Sequence, residues 1–414
     1  MDHSLEGVRS YTDYTIRVQH DWHLCLREPV SQFYISMKPN PTSSRLEFHV
    51  QVTKMIDVYA CTVLPPQHDF GSIDKFQVSI DDFRNLHVSY HNQRTIFVPP
   101  CAQITTHGLA SSILSLDFSK SGQSYVAADN NGNMVVANAT NGQPMRFLRG
   151  HTLDVNRCRY LPSDLVIISG GLDMSVRIWG IDDGTCARVL MGHTREVTGI
   201  GVLGIGKEVL SCSKDGSAIK WHVGEGKILE QWKFDSGDCV DLAVSLDNSM
   251  FAVICELGIL SIIRLNGAPR IDIYIPQNAT CLCFAENVVP RHQNSVASQI
   301  FVGFDDGHIA LYGISEKVFS TFVAEVNTFA GKVTRLIQAY ERLIVGFSDG
   351  RIAVYPVSIF TPGSPGIGGK NDIIAEFELT GTDLNPINDI VVVERYVYIC
   401  SRDMLIKRYA IPWN

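Results

Sequence analysis

The residue types of an acyl-transfer triad occur twice in this chain at one fixed spacing. His151, Ser169 and Asp173 form the first set, and His193, Ser211 and Asp215 the second. A serine activated by a histidine that a carboxylate orients is the apparatus of nucleophilic hydrolysis. The duplication argues against that use, because an enzyme needs one such site and not a copy per segment. Each set is also followed by a tryptophan six residues beyond its aspartate, Trp179 and Trp221. Polar groups persist in an interior when every partner is satisfied, and a satisfied network holds one chain arrangement. These eight residues are assigned to the fold, and no catalytic residue is assigned.

Other chemistry has little footing. The glycine-rich stretch Gly366 to Lys370 lacks the Ser or Thr that would follow in a phosphate loop, and reads as a flexible surface insertion. Of the 11 cysteines only Cys281 and Cys283 lie close together, with no second pair to complete a zinc site, so no metal and no cofactor is expected. The scattered thiols read as reduced and buried. A formal charge of −8 and the absence of basic patches interleaved with aromatics work against nucleic acid and anionic lipid as partners. The start MDHSLEGVRS has no basic-then-apolar signal pattern, and no apolar run approaches the roughly 18 residues of a membrane span. A cytosolic or nuclear location is expected.

What positions the paired sets is a repeat. Hydrophobic residues at 45% and charged residues at 19% suit a folded chain with a sizeable core. Segments starting at Gly150-His151 and Gly192-His193 are copies 42 residues apart. With the turn position as ruler, a six-residue gap recurs at Asn131/Ala137, Asp173/Trp179, Asp215/Trp221, Leu257/Ile263, Asp306/Tyr312, Asp349/Tyr355 and Asp403/Tyr409. The turns are separated by 42, 42, 42, 49, 43 and 54 residues, the longer intervals holding insertions around Pro290 and from Thr361. Each period reads as four short strands with period-two alternation, near 154–160, 165–169, 175–180 and 185–190 in the second copy. No stretch shows convincing helical periodicity. Seven such units predict an all-β propeller closed around an axis.

These residues resemble the WD-repeat family over roughly residues 105–414. The resemblance implies a seven-bladed WD-repeat β-propeller in which His, Ser, Asp and Trp form a buried network tying one strand to its neighbours. Ala137 and Ile263 depart from the expected Trp and weaken that bonding in their blades. Residues 1–92 lie outside the repeat. Alternation at Leu46, Phe48, Val50 and Val52, at Phe76, Val78 and Ile80, and at Leu86, Val88 and Tyr90 predicts a small β-rich N-terminal domain with a disordered first dozen residues. The propeller is expected over 93–414. Only AIPWN follows Tyr409, so the last blade is expected to take its fourth strand from Arg94 to Val98.

Without a catalytic site, binding surface is what remains. The loops leading into each Gly-His start and the Asp turns should share one rim, which places Asp154, Arg195, Glu196, Lys214, Asp305, Arg402 and Met404 there as partner-binding candidates. Asp21-Trp22, the two clear repeats and the ending YICSRDMLIKRYAI also look like the proteasomal ATPase-associated factor family. That resemblance implies an assembly chaperone of the proteasome's 19S regulatory particle. Such a chaperone holds the C-terminal domain of a ring ATPase subunit and limits premature docking on the 20S core, beside other assembly chaperones, as a monomer when free. Two alternatives stand: a general scaffold or ubiquitin-ligase substrate adaptor, disfavoured because Gly-Ile-Asp follows Trp179, and a propeller enzyme. The enzyme would require ionisable residues clustered on the innermost strands, whose segments VNRCRY, VTGIGV and CVDLAV do not read that way.

Overall fold

The computed structural model describes residues 15–38, 46–55, 58–64, 76–90, 93–276, 278–285, 296–315, 321–328, 331–360, 375–382 and 384–412. The first dozen residues and most of the two insertions, 286–295 and 361–374, lie outside them. Alternating and β-branched runs form the seven blades of a closed propeller, six of them four-stranded antiparallel sheets and the other the first four strands of a larger sheet. In blade two the strands are Val155–Tyr160, Val166–Gly171, Val176–Gly180 and Cys186–Leu190, and in blade three Val197–Leu203, Glu208–Ser213, Ser217–His222 and Lys227–Lys233. Second strands such as Met250–Cys255 are buried throughout, because a neighbouring blade covers each of their faces. The outermost strands, such as Lys227–Lys233, are largely exposed.

The innermost strands are Ile113–Phe118, Val155–Tyr160, Val197–Leu203, Cys239–Val244, Ala279–Ala285, Val333–Ala339 and Ile387–Val393. Each packs against the next, and the last against the first. Every one of them carries a register shift against its blade's second strand, just after its first paired residue. Such a bulge re-aims the side chains that follow it. In blade three the following residues are Gly199 and Gly201, where a Cβ would crowd Leu242 and Val244 of blade four, so the two blades approach closely.

Ring closure differs from the expectation. The fourth strand of the last blade is Ala102–Thr105, antiparallel to Leu405–Ala410 with Leu405 opposite Thr105. The segment expected there, Arg94 to Val98, lies in the strand Gln93–Val98, which pairs in parallel with Phe377–Leu379, the outer strand of blade six. Both segments are short and β-prone, and the Pro99-Pro100 step between them separates two pairings that need different directions.

Gln93–Val98 also pairs with Leu86–Tyr90, and that strand with Phe76–Ile80, so blade six continues into the front of the chain as one seven-stranded sheet. A second sheet of Thr15–Val18, Val30–Lys38, Leu46–Lys54 and Tyr59–Leu64 closes over Trp22, Phe33, Phe48, Val50, Leu86 and Phe97. Trp22 Nε1 donates to Thr380 Oγ1 at 3.1 Å, and Arg17 pairs with Asp349 at 3.7 Å, both in the blade-six region.

Removing residues 1–98 should leave Ala102–Thr105 able to close the ring, whereas removing 1–106 should bare the edge of Leu405–Ala410. Thermal unfolding and size-exclusion chromatography should show the larger drop in midpoint, with self-association, for the second truncation. Equal behaviour of the two would assign closure elsewhere.

Candidate functional site

The paired sets form two matching chains of hydrogen bonds. Trp179 Nε1 donates to Ser169 Oγ at 2.8 Å, Ser169 Oγ lies 2.7 Å from His151 Nε2, and His151 Nδ1 lies 2.9 Å from Asp173 Oδ2. In blade three the distances are 2.8 Å from Trp221 to Ser211, 2.8 Å from Ser211 to His193 and 3.0 Å from His193 to Asp215. A carboxylate only accepts, so each histidine is assigned Nδ1–H and its Nε2 accepts the serine proton. The wiring matches a hydrolase triad, but Ser169 and Ser211 are fully buried and each already accepts an indole N–H. No substrate carbonyl can reach either hydroxyl.

Burial works against charge on Asp173, yet the bonds from His151 and Ser175 hold its carboxyl well below the usual range. Burial, opposed by Asp215, holds the His193 imidazole below its ordinary value. The degenerate blades substitute locally. Asp129 accepts from the backbone N–H of Asn131 and Asn133 at 2.9 and 2.8 Å, and Asp403 from Ser401 Oγ at 2.8 Å and from the buried Lys407 ammonium. Tyr409, in the Trp position of blade seven, donates to Thr380 O at 2.7 Å. Blade four has no counterpart, since Val253, Leu257 and Ile263 occupy the Ser, Asp and Trp positions.

Ionisable groups do gather on the innermost strands, contrary to the sequence expectation. Residues re-aimed by the bulges reach across the axis between blades that are not neighbours. Arg157 of blade two meets Asp241 of blade four at 3.4 Å, and Arg159 meets Asp389 of blade seven at 3.2 Å. Asp389 also accepts from Ser115 Oγ at 2.9 Å and from Leu116 N–H at 3.1 Å, and pairs with Arg335 of blade six at 3.5 Å. Burial is outweighed there by Arg159, Arg335 and Arg157, which bring the Asp389 carboxyl down to about 2. Asp117, accepting from Tyr160 N–H at 2.7 Å, is pushed up to about 6 by burial despite Arg159. The carboxylates of Asp241 and Asp389 are committed to arginines and backbone, so the cluster binds blades together. Each single strand shows one or two charges, and their meeting is legible only once the ring is closed. Among the described residues no three His, Cys, Asp or Glu side chains gather as a metal site.

At one end of the ring the loops between blades meet the turns after the second strands. Leu172 N–H donates to Asp154 O at 2.8 Å, Lys214 N–H to Glu196 O at 2.9 Å, and Asp305 N–H to Asn278 O at 2.9 Å. Arg195, Glu196 and Lys214 are brought together: Arg195 bonds Lys214 O at 2.6 Å and the Asp238 carboxylate of blade four, while the Lys214 ammonium pairs with Glu196. Asn156 Nδ2 reaches Glu196 Oε1 at 2.7 Å, joining blades two and three. Asp154 lies one blade away, and Asp305, Arg402 and Met404 stand exposed at the same end on blades five and seven. The seven candidates thus share a rim without forming one cluster. Sequence reasoning missed the exposed Leu153, Leu172, Met174 and Leu257 and the exposed acids Asp235, Glu256 and Asp306 on the same loops. Their place in the repeat could have found several of them, because Leu153 occupies the position of Arg195, Leu172 and Glu256 that of Lys214, and Met174 that of Met404.

Comparison with known proteins matches the family described as WD domain, G-beta repeat to residues 142–180 and 184–222, the copies that carry the two hydrogen-bonded chains. Pre-mRNA-processing factor 19 of Bos taurus is 28% identical over 143 residues, covering 33% of this chain and 28% of that protein. Proteasomal ATPase-associated factor 1 of Gallus gallus is 28% identical over 155 residues, covering 36% and 37%. The 26S proteasome regulatory subunit RPN14 of Saccharomyces cerevisiae is 22% identical over 190 residues, covering 40% and 44%. The chain thus spans less than half the length of each of these relatives. Repeat and architecture together make the fold a WD40 β-propeller.

Urea denaturation should show Trp179→Ala losing roughly 3–5 kcal/mol through a cavity and an orphaned Ser169, against roughly 1–3 kcal/mol for Ser169→Ala. Asp389→Ala, which strands buried guanidinium groups, should lose roughly 3–5 kcal/mol. Because the folded-state value of His193 is depressed, its contribution is full above the ordinary imidazole range and lost as pH falls. The urea midpoint should therefore drop between pH 7 and pH 5, and His193→Gln should flatten that slope.

Proposed function

We propose that the chain is a non-enzymatic scaffold that holds the C-terminal domain of a ring ATPase subunit while the proteasome's 19S regulatory particle assembles, and so limits premature docking on the 20S core. The observation that carries this reading is the rim. It presents the acid Glu256 beside exposed Leu257 on blade four with Asp235 on the loop leading into that blade, Asp305 and Asp306 on blade five, and exposed Leu172 and Met174 on blade two, on loops held by the strands beneath. Acidic loops around apolar anchors suit a basic helical domain, with charge setting association rate and specificity. The matches to proteins named for the proteasomal ATPase and the 26S regulatory particle support that choice of partner. The non-enzymatic part rests on the burial of both triad-like serines and on the commitment of the axial carboxylates. No cofactor is required, and the reading places the chain in the cytosol or nucleus.

A general WD-repeat scaffold is the second reading. It is favoured by the equal identity to pre-mRNA-processing factor 19.

Purified chain should be tested in pull-downs against the separate C-terminal domains of the regulatory-particle ATPases at low and high salt, with Asp305→Lys and Glu256→Lys beside the unaltered protein. Capture of one domain, weakened by salt and by both reversals while thermal unfolding stays unchanged, is the expected result. Capture of none would remove the ATPase reading and leave the general scaffold.

A further inference from the structure

Blade four lacks the hydrogen-bonded chain of blades two and three, and it differs from all six other blades at one more place. Just before each bulge, the first residue of the innermost strand stands opposite the last residue of the second strand. Those places hold Val155 and Gly171 in blade two, Val197 and Ser213 in blade three, and Cys239 and Cys255 in blade four. None of the other blades puts sulfur at either place.

The Glu256 N–H donates to Asp238 O at 2.9 Å, which makes Cys239 and Cys255 a non-hydrogen-bonded pair. In such a pair the Cα atoms are about 4.5 Å apart and the side chains closest, a separation at the short end of the disulfide range. Cys239 Sγ reaches Ser217 O at 3.8 Å, and both thiols are free.

We propose that Cys239 and Cys255 are an oxidisable dithiol which a peroxide converts into a reversible cross-strand disulfide fastening the rim end of blade four. The nucleophile is Cys255. Its neighbours Cys239 and Ser236 hold its thiol below the ordinary value, whereas the neighbouring Cys255 and burial push Cys239 up. The Cys255 thiolate attacks one peroxide oxygen, the O–O bond breaks, and the departing hydroxide takes a proton to leave as water. The resulting sulfenic acid is attacked by Cys239 sulfur, the S–O bond breaks, and the hydroxyl leaves as water with the Cys239 proton. In sum, two thiols and one hydrogen peroxide give one disulfide and two waters.

Burial sets the rate. Cys239 and Cys255 are 0% and 1% exposed, so the peroxide enters only when the turn Glu256–Gly258, whose Leu257 is 55% exposed, opens from the strand ends. A third thiol, Cys212 of blade three, is fully buried and pushed up to about 12 by burial, and no strand pairing sets it opposite either partner.

The full chain should be treated with hydrogen peroxide, alkylated and digested for peptide mass mapping. The expected product is a Cys239–Cys255 crosslink lighter by two hydrogens, undone by dithiothreitol, with slower amide exchange in blade four. Cys212→Ser should keep the crosslink, while Cys239→Ser and Cys255→Ser should each abolish it. Preferential pairing through Cys212, or sulfinic acid at Cys255 without a crosslink, would overturn the proposal. So would both thiols remaining reduced under conditions that oxidise the exposed Cys101. The mapping on the unaltered chain decides even if a serine variant fails to fold.

Discussion

The ring depends most on the bonds converging on Asp389. This buried carboxylate takes Ser115 Oγ and Leu116 N–H from blade one, Arg159 from blade two and Arg335 from blade six, so the last innermost strand is locked to blades on both sides of the closing seam. A closed ring of sheets has no hinge that can relax one contact without disturbing the rest. The charges around the axis are therefore held in a geometry that the surrounding blades impose. Arg157 and Asp241 add a second strut across the same space. Burying charge is unfavourable unless geometry and hydrogen bonding are both complete, and each guanidinium here also donates to a backbone carbonyl, Arg157 to Asn156 O and Arg159 to Cys158 O at 2.8 Å each.

The blades divide by how they tie their third strand to the turn. Blades two and three use the chain from Trp through Ser and His to Asp, while blades one and seven use a carboxylate that accepts from nearby backbone. The same turn geometry thus survives the loss of most of its side chains, because a carboxylate that accepts two N–H groups does much of what the longer network does. Blade four retains neither device, and its Gly258 reaches the required left-handed backbone (φ 80°) without one.

Local patterning carried the repeat, the turns and the two hydrogen-bonded chains, because each is written within about 30 residues. What it could not carry were pairings between distant segments. Arg94 to Val98 and Ala102–Thr105 are equally strand-like, and only the direction of their partners separates them: parallel to Phe377–Leu379 for the first, antiparallel to Leu405–Ala410 for the second. The axial cluster was missed for the same reason, since Arg159 and Asp389 are 230 residues apart and neither is unusual within its own strand. On the rim the repeat located the loops correctly, but which charges neutralise one another, as Lys214 and Glu196 do, depends on how adjacent blades abut.

The strand Ala102–Thr105 meets a partner 300 positions later in the chain. During synthesis it emerges early and stays unmated while blades one to six are made, and for that interval both it and the growing end offer open strand edges. Closure is then a single late event of very long loop length, the kind of step that is slow and exposed to wrong partners. The front domain, joined to blade six through Gln93–Val98, inherits the same delay: its sheet is completed only after Phe377–Leu379 has been translated. The ring can therefore close only once the strand Leu405–Ala410 has been made.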